Sequence, residues 1–110
     1  DEPFRGLDVM TRELMREYYL KLFEETRLTT LFISSELEEA IFLGDIAYFM
    51  TVRPGTIKKR MDINLPRPRI FKHIATPEYL ELEKRALQIV DEEAVKAFSQ
   101  LRKVGANPAA

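Results

Sequence analysis

The 110-residue chain has no cysteine, no tryptophan and only one histidine, His73. Without cysteine it can form neither a disulfide framework nor a thiolate metal site, which suits a reducing compartment. No apolar run approaches the roughly 18 residues that predict a membrane-spanning helix, and the first residues show no signal-peptide pattern. No G-x-x-x-x-G-K-S/T motif occurs, so these residues contain no phosphate-binding loop of that kind.

The residues that are present have the balance of an ordinary globular domain, 45% hydrophobic and 32% charged. The net charge is −1, but residues 1–52 carry −6 and residues 53–72 carry +6. The basic block comprises Arg53, Lys58, Lys59, Arg60, Arg67, Arg69 and Lys72. Few aromatic residues interleave with these charges, so we favour a solvated hairpin or docking surface over a nucleic-acid interface.

The first half of the chain predicts a helix and then a strand. Asp8 is a suitable N-cap for a helix over residues 9–27. Helical spacing predicts a buried stripe on that helix, formed by Met10, Leu14, Met15, Tyr18 and Leu22. Residues 29–34 predict a short buried strand whose apolar centre is Leu31, Phe32 and Ile33.

A short helix and a hairpin are predicted next. Ser35-Glu36-Leu37-Glu38 has the S-x-x-E pattern of a capping box. We therefore expect a helix over residues 36–43, ended by Gly44 in the left-handed conformation. Residues 46–52 and 56–65 predict two strands joined at the turn Arg53-Pro54-Gly55-Thr56.

The last third predicts a linker and a long helix. Pro66 and Pro68 interrupt regular structure, so we expect residues 66–75 to be a linker containing a solvated His73. Thr76 and Pro77 predict a helix start, and the helix should reach Lys103 and stop at Gly105. A heptad-like stripe follows this helix at Leu80, Leu87, Val90, Ala94, Ala97 and Leu101. Asp91-Glu92-Glu93 could split the helix in two.

Several of these segments resemble the ATP-binding subunits of ABC transporters. Asp1-Glu2-Pro3-Phe4 followed by Arg5-Gly6-Leu7-Asp8 resembles the end of a Walker B motif and the D-loop. The run from Glu39 to Asp45 resembles the helix after the family's switch histidine. Arg53-Pro54-Gly55 and Leu65-Pro66-Arg67-Pro68-Arg69 resemble nitrate, sulfonate and taurine importers in particular.

The resemblance implies an α/β fold: part of a P-loop NTPase core, ordered helix–strand–helix–strand–strand, plus a long C-terminal helix. Residues 1–69 would be the C-terminal part of the nucleotide-binding domain, and residues 70–110 a linker and helical extension. The intact parent would use Mg-ATP. Its partners would be a second ATP-binding subunit and membrane-spanning permease subunits, and it would lie in the cytoplasm against the inner face of the membrane.

The resemblance also implies roles for four residues. Asp1 would hold the magnesium ion, Glu2 would orient and deprotonate the attacking water, and Asp8 would act across the dimer interface. Ser35 stands where the family has its switch histidine, which leaves open whether the parent hydrolyses ATP. In a chain without the phosphate loop we favour the plainer interpretation of the first three residues, with Asp1 and Glu2 mobile and Asp8 serving as a helix cap. For Ser35, the N-cap of the next helix and the switch position can both hold.

Three hypotheses follow. In the first, the chain is a fragment of a small-anion importer ATPase that neither binds nor hydrolyses ATP alone. In the second, it is a non-enzymatic interaction or dimerisation module derived from a degenerate ABC ATPase. The third, a standalone hydrolase using Asp1 and Glu2, lacks any further polar constellation. Because the strand at residues 29–34 would expose an unpaired edge, we also expect the chain to self-associate or rearrange.

Overall fold

The computed structural model describes residues 1–105. Its elements are α1 (Val9–Thr26), α2 (Leu37–Leu43), β1 (Ile46–Met50), β2 (Ile57–Asp62), a 3-10 turn (Phe71–Ala75) and α3 (Pro77–Gly105). The described part is a small α/β unit with three helices and one two-stranded sheet. The α/β class is confirmed, whereas the division at residues 69 and 70 stays a prediction.

Helix α1 begins where predicted but does not bury the predicted face. The Asp8 carboxylate accepts a hydrogen bond from the Thr11 amide at 3.3 Å, which confirms the N-cap. The predicted buried stripe is wrong, because all five of its members are exposed: Met10, Leu14, Met15, Tyr18 and Leu22. Helical spacing identified an apolar face correctly, but α1 turns a different side, with Arg16 and Leu20 buried, toward the rest of the structure.

Helix α2 lies at the centre of the core. Ile41, Phe42 and Leu43 are almost completely buried, and α2 packs against α1, β1 and α3. Its start differs from the predicted capping box, because Glu36 is the N-cap and the Glu36 amide donates to the Ser34 hydroxyl at 2.9 Å. Gly44 ends the helix at φ −88°, so the predicted left-handed conformation is also wrong.

The predicted hairpin is confirmed, with shorter strands than expected. Strands β1 and β2 pair antiparallel, with Ala47 opposite Met61, and the register shifts between Phe49 and Met50. Ala47, Phe49 and Met61 point into the core. The chain after β2 continues inward at Ile63, so one face of the hairpin covers the α2 side of the molecule.

The strand predicted at residues 29–34 is absent from the described structure. These residues have no regular secondary structure, and Leu31 and Ile33 are exposed. A strand needs a neighbour that accepts and donates its backbone hydrogen bonds, and the one such bond here runs from the Glu2 amide to the Ile33 carbonyl at 2.7 Å. The edge that we expected to drive self-association is therefore missing within residues 1–105, and self-association itself stays a prediction.

Residues 66–75 are more ordered than a linker. They contain the 3-10 turn, and Arg69 folds back into the core with its side chain only 1% exposed. Its guanidinium donates to carbonyls at the end of α2, including Gly44 at 2.5 Å and Phe42 at 3.2 Å. Burial, aided by the nearby Arg67 charge, lowers the pKa of Arg69 to about 10, so it remains a cation at neutral pH.

Arg67 and Lys58, which were predicted to lie on a solvated basic surface, also make contacts within the fold. Arg67 stacks on the Phe23 ring at 4.4 Å and donates to the Leu43 carbonyl at 2.8 Å. Lys58 bonds to Glu93 at 3.0 Å. Arg60 pairs with Asp62 at 3.1 Å. Four of the seven cations of the basic block therefore have partners within the chain, consistent with the preference against a nucleic-acid interface.

Helix α3 is continuous, so the predicted break at Asp91-Glu92-Glu93 does not occur. Its start is confirmed by the Tyr79 amide, which donates to the Thr76 hydroxyl at 3.3 Å. Its buried side holds Tyr79, Leu82 and Ala86. The heptad-like stripe lies largely outside the core, since Leu80, Leu87, Val90, Ala94 and Leu101 are exposed.

Candidate functional site

The N-terminal segment is anchored by an aromatic side chain that sequence analysis did not single out. Phe4 is buried, and its ring centroid lies 5.7 Å from that of Phe32. Phe32 in turn meets the edge of Tyr19 on α1, at 5.6 Å between centroids. This aromatic cluster holds residues 1–7 against the segment at residues 32–35. The one feature of the sequence that could have indicated this anchor is the apolar Phe4 next to Pro3.

Glu2 and Ser35 are brought together by this anchoring. The Glu2 carboxylate accepts a hydrogen bond from the Ser35 backbone amide at 2.8 Å. The Glu2 amide donates to the Ile33 carbonyl, so the contact is two-sided. Glu2 adopts φ 47°, a left-handed conformation that is uncommon for a non-glycine residue. The expectation that Glu2 would be mobile does not fit this arrangement, because two hydrogen bonds, one from its amide and one to its carboxylate, position it.

The two residues line a cavity of about 270 Å³. Its walls carry both signs of charge, with Arg5 and Arg12 facing three carboxylates. The Arg12 guanidinium lies 3.5 Å from the Glu36 carboxylate across one side. The lining residues are Glu2, Phe4, Arg5, Gly6, Arg12, Ser35, Glu36 and Glu39.

The other two predicted site residues lie outside this cavity lining. Asp1 is exposed. Asp8 caps α1, and its hydrogen bond with Thr11 lowers the pKa of its carboxyl group. The plain interpretation of Asp8 as a cap is thus confirmed, whereas the helix-cap interpretation of Ser35 is wrong, since the hydroxyl next to the start of α2 belongs to Ser34.

A buried ion pair behind the cavity was missed by sequence analysis. Arg16 donates to the Glu39 carboxylate at 2.9 and 3.1 Å, and both side chains are more than nine-tenths buried. The Ser34 hydroxyl donates to the second oxygen of Glu39. Because this network joins α1, α2 and the segment before α2, it fixes the backbone that carries Ser35. An Arg and a Glu 23 positions apart give no local pattern that would reveal the pairing.

Two carboxylates of the N-terminal segment could take part in holding a magnesium ion. Magnesium is usually held by one or two carboxylates together with substrate phosphates and water. Asp1 and Glu2 offer two carboxylates, but one Glu2 oxygen already accepts a protein hydrogen bond. No group of three or more His, Cys, Asp or Glu side chains within residues 1–105 is arranged to hold a metal ion. None of the helices described there is both long and apolar enough to cross a membrane.

Sequence comparisons identify the class of protein. No family model matches the chain, but curated proteins do. An uncharacterized ABC transporter ATP-binding protein of Methanocaldococcus jannaschii is 37% identical over 89% of this chain and 36% of its own length. The nitrate import ATP-binding protein of Synechocystis is 37% identical over 74% of this chain and 33% of its own length. An aliphatic sulfonates import ATP-binding protein of Bacillus cereus is 35% identical over 80% of this chain and 34% of its own length.

The chain therefore belongs to the family of ABC transporter ATP-binding subunits. The predicted resemblance to this family is confirmed by relatives that include nitrate and sulfonate import ATP-binding proteins. The chain spans about a third of the length of the curated relatives it matches.

Proposed function

We propose that this chain is the C-terminal part of the ATP-binding subunit of an ABC importer for small anions of the nitrate or sulfonate type. The supporting comparison is the similarity to importer ATP-binding proteins over most of the chain. The supporting geometry is the 2.8 Å contact between Glu2 and the Ser35 amide, because it places the two proposed catalytic positions side by side. In the whole subunit, ATP binding and hydrolysis would be coupled to transport.

The proposed roles follow the chemistry of each side chain. Glu2 is held by its backbone and carboxylate, so it can orient and accept a proton from a water molecule in the cavity. Ser35 is exposed at the same cavity and can offer a hydroxyl donor to a phosphate oxygen. Serine cannot become cationic, so this contact would be weaker than one from a protonated histidine. Asp1 would supply one metal carboxylate, and Asp8 would reach a second subunit from the start of α1.

We propose that the phosphate-binding loop and the partner subunits are supplied by other parts of the transporter. Phosphate binding requires backbone N–H groups that these 110 residues do not supply in a G-x-x-x-x-G-K-S/T loop. A second ATP-binding subunit and membrane-spanning permease subunits would complete the transporter at the cytoplasmic face of the membrane. We expect the chain alone to bind no Mg-ATP.

Calorimetric titration with Mg-ATP tests this proposal. We expect no measurable binding by the 110-residue chain and micromolar binding by a longer protein that includes the natural upstream sequence. Tight binding by the short chain would contradict the proposal, because its phosphate site would then consist of residues other than those described above. No binding by either protein would equally contradict an ATP-binding role.

Hydrolysis by the longer protein tests the individual residues. Glu2→Gln should lower turnover by about a hundredfold or more, the usual range for loss of a general base. Glu25→Gln, on the exposed side of α1, is the matched control and should have no effect. Ser35→His should raise turnover if this position performs the switch role. An unchanged rate in Ser35→His would remove Ser35 from the mechanism.

A second function, a non-enzymatic interaction module, is favoured by a different observation. Helices α1 and α3 both expose apolar faces, including Leu14 at 65% and Phe98 at 68%. Large contiguous apolar patches are uncommon on monomeric proteins and often mark interaction sites, so these faces are candidates for contact with a partner. If the longer protein binds no nucleotide yet forms a stable complex through these faces, the interaction module is the better description.

A further inference from the structure

Two adjacent serines precede α2, and they make their contacts through different groups. Ser35 is exposed, and its backbone amide donates to the Glu2 carboxylate at 2.8 Å. Ser34 is half-buried, and its hydroxyl donates to the Glu39 carboxylate and accepts from the Glu36 amide at 2.9 Å. The contact with Glu2 therefore uses the backbone of one serine, whereas the link to α2 uses the side chain of the other.

The peptide unit between Ser34 and Ser35 carries the N–H group that meets Glu2. Because a peptide unit is planar, the direction of this N–H is set by the backbone dihedral angles on either side of the unit. The Ser34 side chain fixes one side against α2, and the Glu36 amide fixes the other side because it binds the same hydroxyl. Loss of that hydroxyl would release both sides of the peptide unit at once.

The group that accepts the Ser34 hydroxyl is itself held in place. One carboxylate oxygen of Glu39 accepts from Ser34, and the other accepts from the Arg16 guanidinium at 2.9 and 3.1 Å. The Glu39 and Arg16 side chains are only 3% and 8% exposed. Charge-assisted hydrogen bonds are about twice as strong as neutral ones, and breaking a buried ion pair is strongly destabilising. Ser34 is therefore attached to a carboxylate whose position is fixed from its other side.

We propose that Ser34 is a positioning residue for Glu2: its hydroxyl holds the Ser35 amide in the place where that amide binds the Glu2 carboxylate. The inference rests on the proposed function, in which Glu2 accepts a proton from water. Glu2 needs such support because its backbone adopts φ 47°, a conformation that persists only when surrounding contacts hold it. Its other hydrogen bond, from its amide to the Ile33 carbonyl at 2.7 Å, lies one residue before Ser34, so a shift of Ser34 disturbs both contacts.

Hydrogen exchange at residue 35 of the 110-residue chain tests the positioning directly. Ser34→Ala should lower the protection factor of the Ser35 amide by about fivefold to tenfold, which corresponds to one ordinary hydrogen bond. Ser35→Ala is the matched control, because it removes the neighbouring hydroxyl but keeps the amide, and it should leave protection at residue 35 unchanged. Ser34→Thr retains the hydroxyl and should restore most of the protection. Equal effects of Ser34→Ala and Ser35→Ala, or an unprotected Ser35 amide in the unmodified chain, would overturn the proposal.

A double variant separates positioning from a general loss of stability. If Ser34 acts through the contact with Glu2, Ser34→Ala should have little further effect at residue 35 once Glu2→Ala has removed the accepting carboxylate. A purely structural role would instead speed exchange at residue 35 by the same factor with and without Glu2→Ala, and would also speed exchange at amides within α2 such as that of Phe42. That result would show that Ser34 does not act through Glu2.

Turnover by the longer protein with the natural upstream sequence shows whether this positioning serves hydrolysis. Ser34→Ala should lower kcat by about tenfold with little change in KM for Mg-ATP, because Glu2 acts on water and does not hold the nucleotide, and Ser34→Thr should restore kcat. If Glu2→Gln lowers kcat but Ser34→Ala does not, or changes KM alone, the inference about Ser34 is wrong and the role of Glu2 stands. If Glu2→Gln leaves kcat unchanged, the proposed role of Glu2 fails, and the exchange measurements decide whether Ser34 positions it.

Discussion

Replacing Arg69 by alanine is the sharpest test of how this small structure is held together. Arg69 reaches from the segment after the hairpin to the end of α2, where helix carbonyls lack intrahelical partners. It donates to the carbonyls of Ile41, Phe42 and Gly44, and also to those of Ile63 and Leu65. One side chain therefore joins α2 to the chain that leaves β2.

The expected loss can be worked out from these contacts. Only the bonds to Gly44 at 2.5 Å and Phe42 at 3.2 Å are short enough to count fully, since the other three are 3.3–3.4 Å. Hydrogen bonds to a charged group contribute about 1.5–3 kcal/mol each, and they are not additive. We expect Arg69→Ala to lower the free energy of unfolding by about 3 kcal/mol, with part of the loss arising from carbonyls left buried without a donor.

Urea unfolding followed by circular dichroism provides the assay. Arg69→Lys should lose most of the same free energy, because an ammonium group cannot span carbonyls as a planar guanidinium does. Arg60→Ala is the control, since Arg60 makes an exposed ion pair with Asp62 at 3.1 Å and should cost less than about 1 kcal/mol. A loss below about 1 kcal/mol for Arg69→Ala, or an equal loss for Arg60→Ala, would refute this reasoning.

Three further predictions follow from buried or paired groups. Phe4→Ala should lower the free energy of unfolding by about 2–3 kcal/mol and speed hydrogen exchange at the Ser35 amide; unchanged exchange would mean that Phe4 does not position Glu2. Glu39→Gln should cost about 3 kcal/mol in urea unfolding, because Arg16 loses its buried charge partner and keeps only the exposed Glu38 carboxylate at 3.5 Å. The Arg16→Met/Glu39→Leu double variant should recover most of the loss; no recovery would contradict a charge-based cause. The hydrogen bonds from Lys58 and Val52 lower the pKa of Glu93 from 4.5 to about 2, so the stabilisation that Glu93 provides is complete above pH 4.5 and is lost as the pH falls toward 2. The unfolding midpoint of the Glu93→Gln variant should therefore depend less on pH in this window than that of the unmodified protein. Equal pH dependence in both proteins would count against the assignment.

The candidate site was predictable in part because some of its residues lie in short continuous motifs. Asp1, Glu2 and the serine at position 35 could be named because the segments that contain them resemble motifs of a known family. Their relation to each other could not, because it depends on the burial of Phe4 against Phe32 and on the Arg16–Glu39 pair behind them. Those contacts join residues that are 23 or more positions apart.

The exposed faces of α1 and α3 explain the largest errors in the predicted fold. Apolar residues at helical spacing show that a helix has an apolar face, but a face becomes buried only if something packs on it. In α1 the predicted stripe is exposed and the buried side includes a charged residue, Arg16. In α3 the side that carries Tyr79 and Leu82 is buried in the core, and the heptad-like stripe beside it is exposed.

What the sequence by itself determined is local: the cap at Asp8, the hairpin around residues 53–56, the helix start at Thr76 and Pro77, and the membership of a family recognised from short motifs. These depend on backbone conformations and hydrogen bonds within a few residues of one another. Only the tertiary structure decided that Glu2 meets the Ser35 amide, that Arg69 caps α2 from 25 residues away, and that residues 29–34 form no strand. A strand, a buried ion pair and a buried helix face each require a partner that is distant in sequence. The local pattern of residues does not indicate which partner that is.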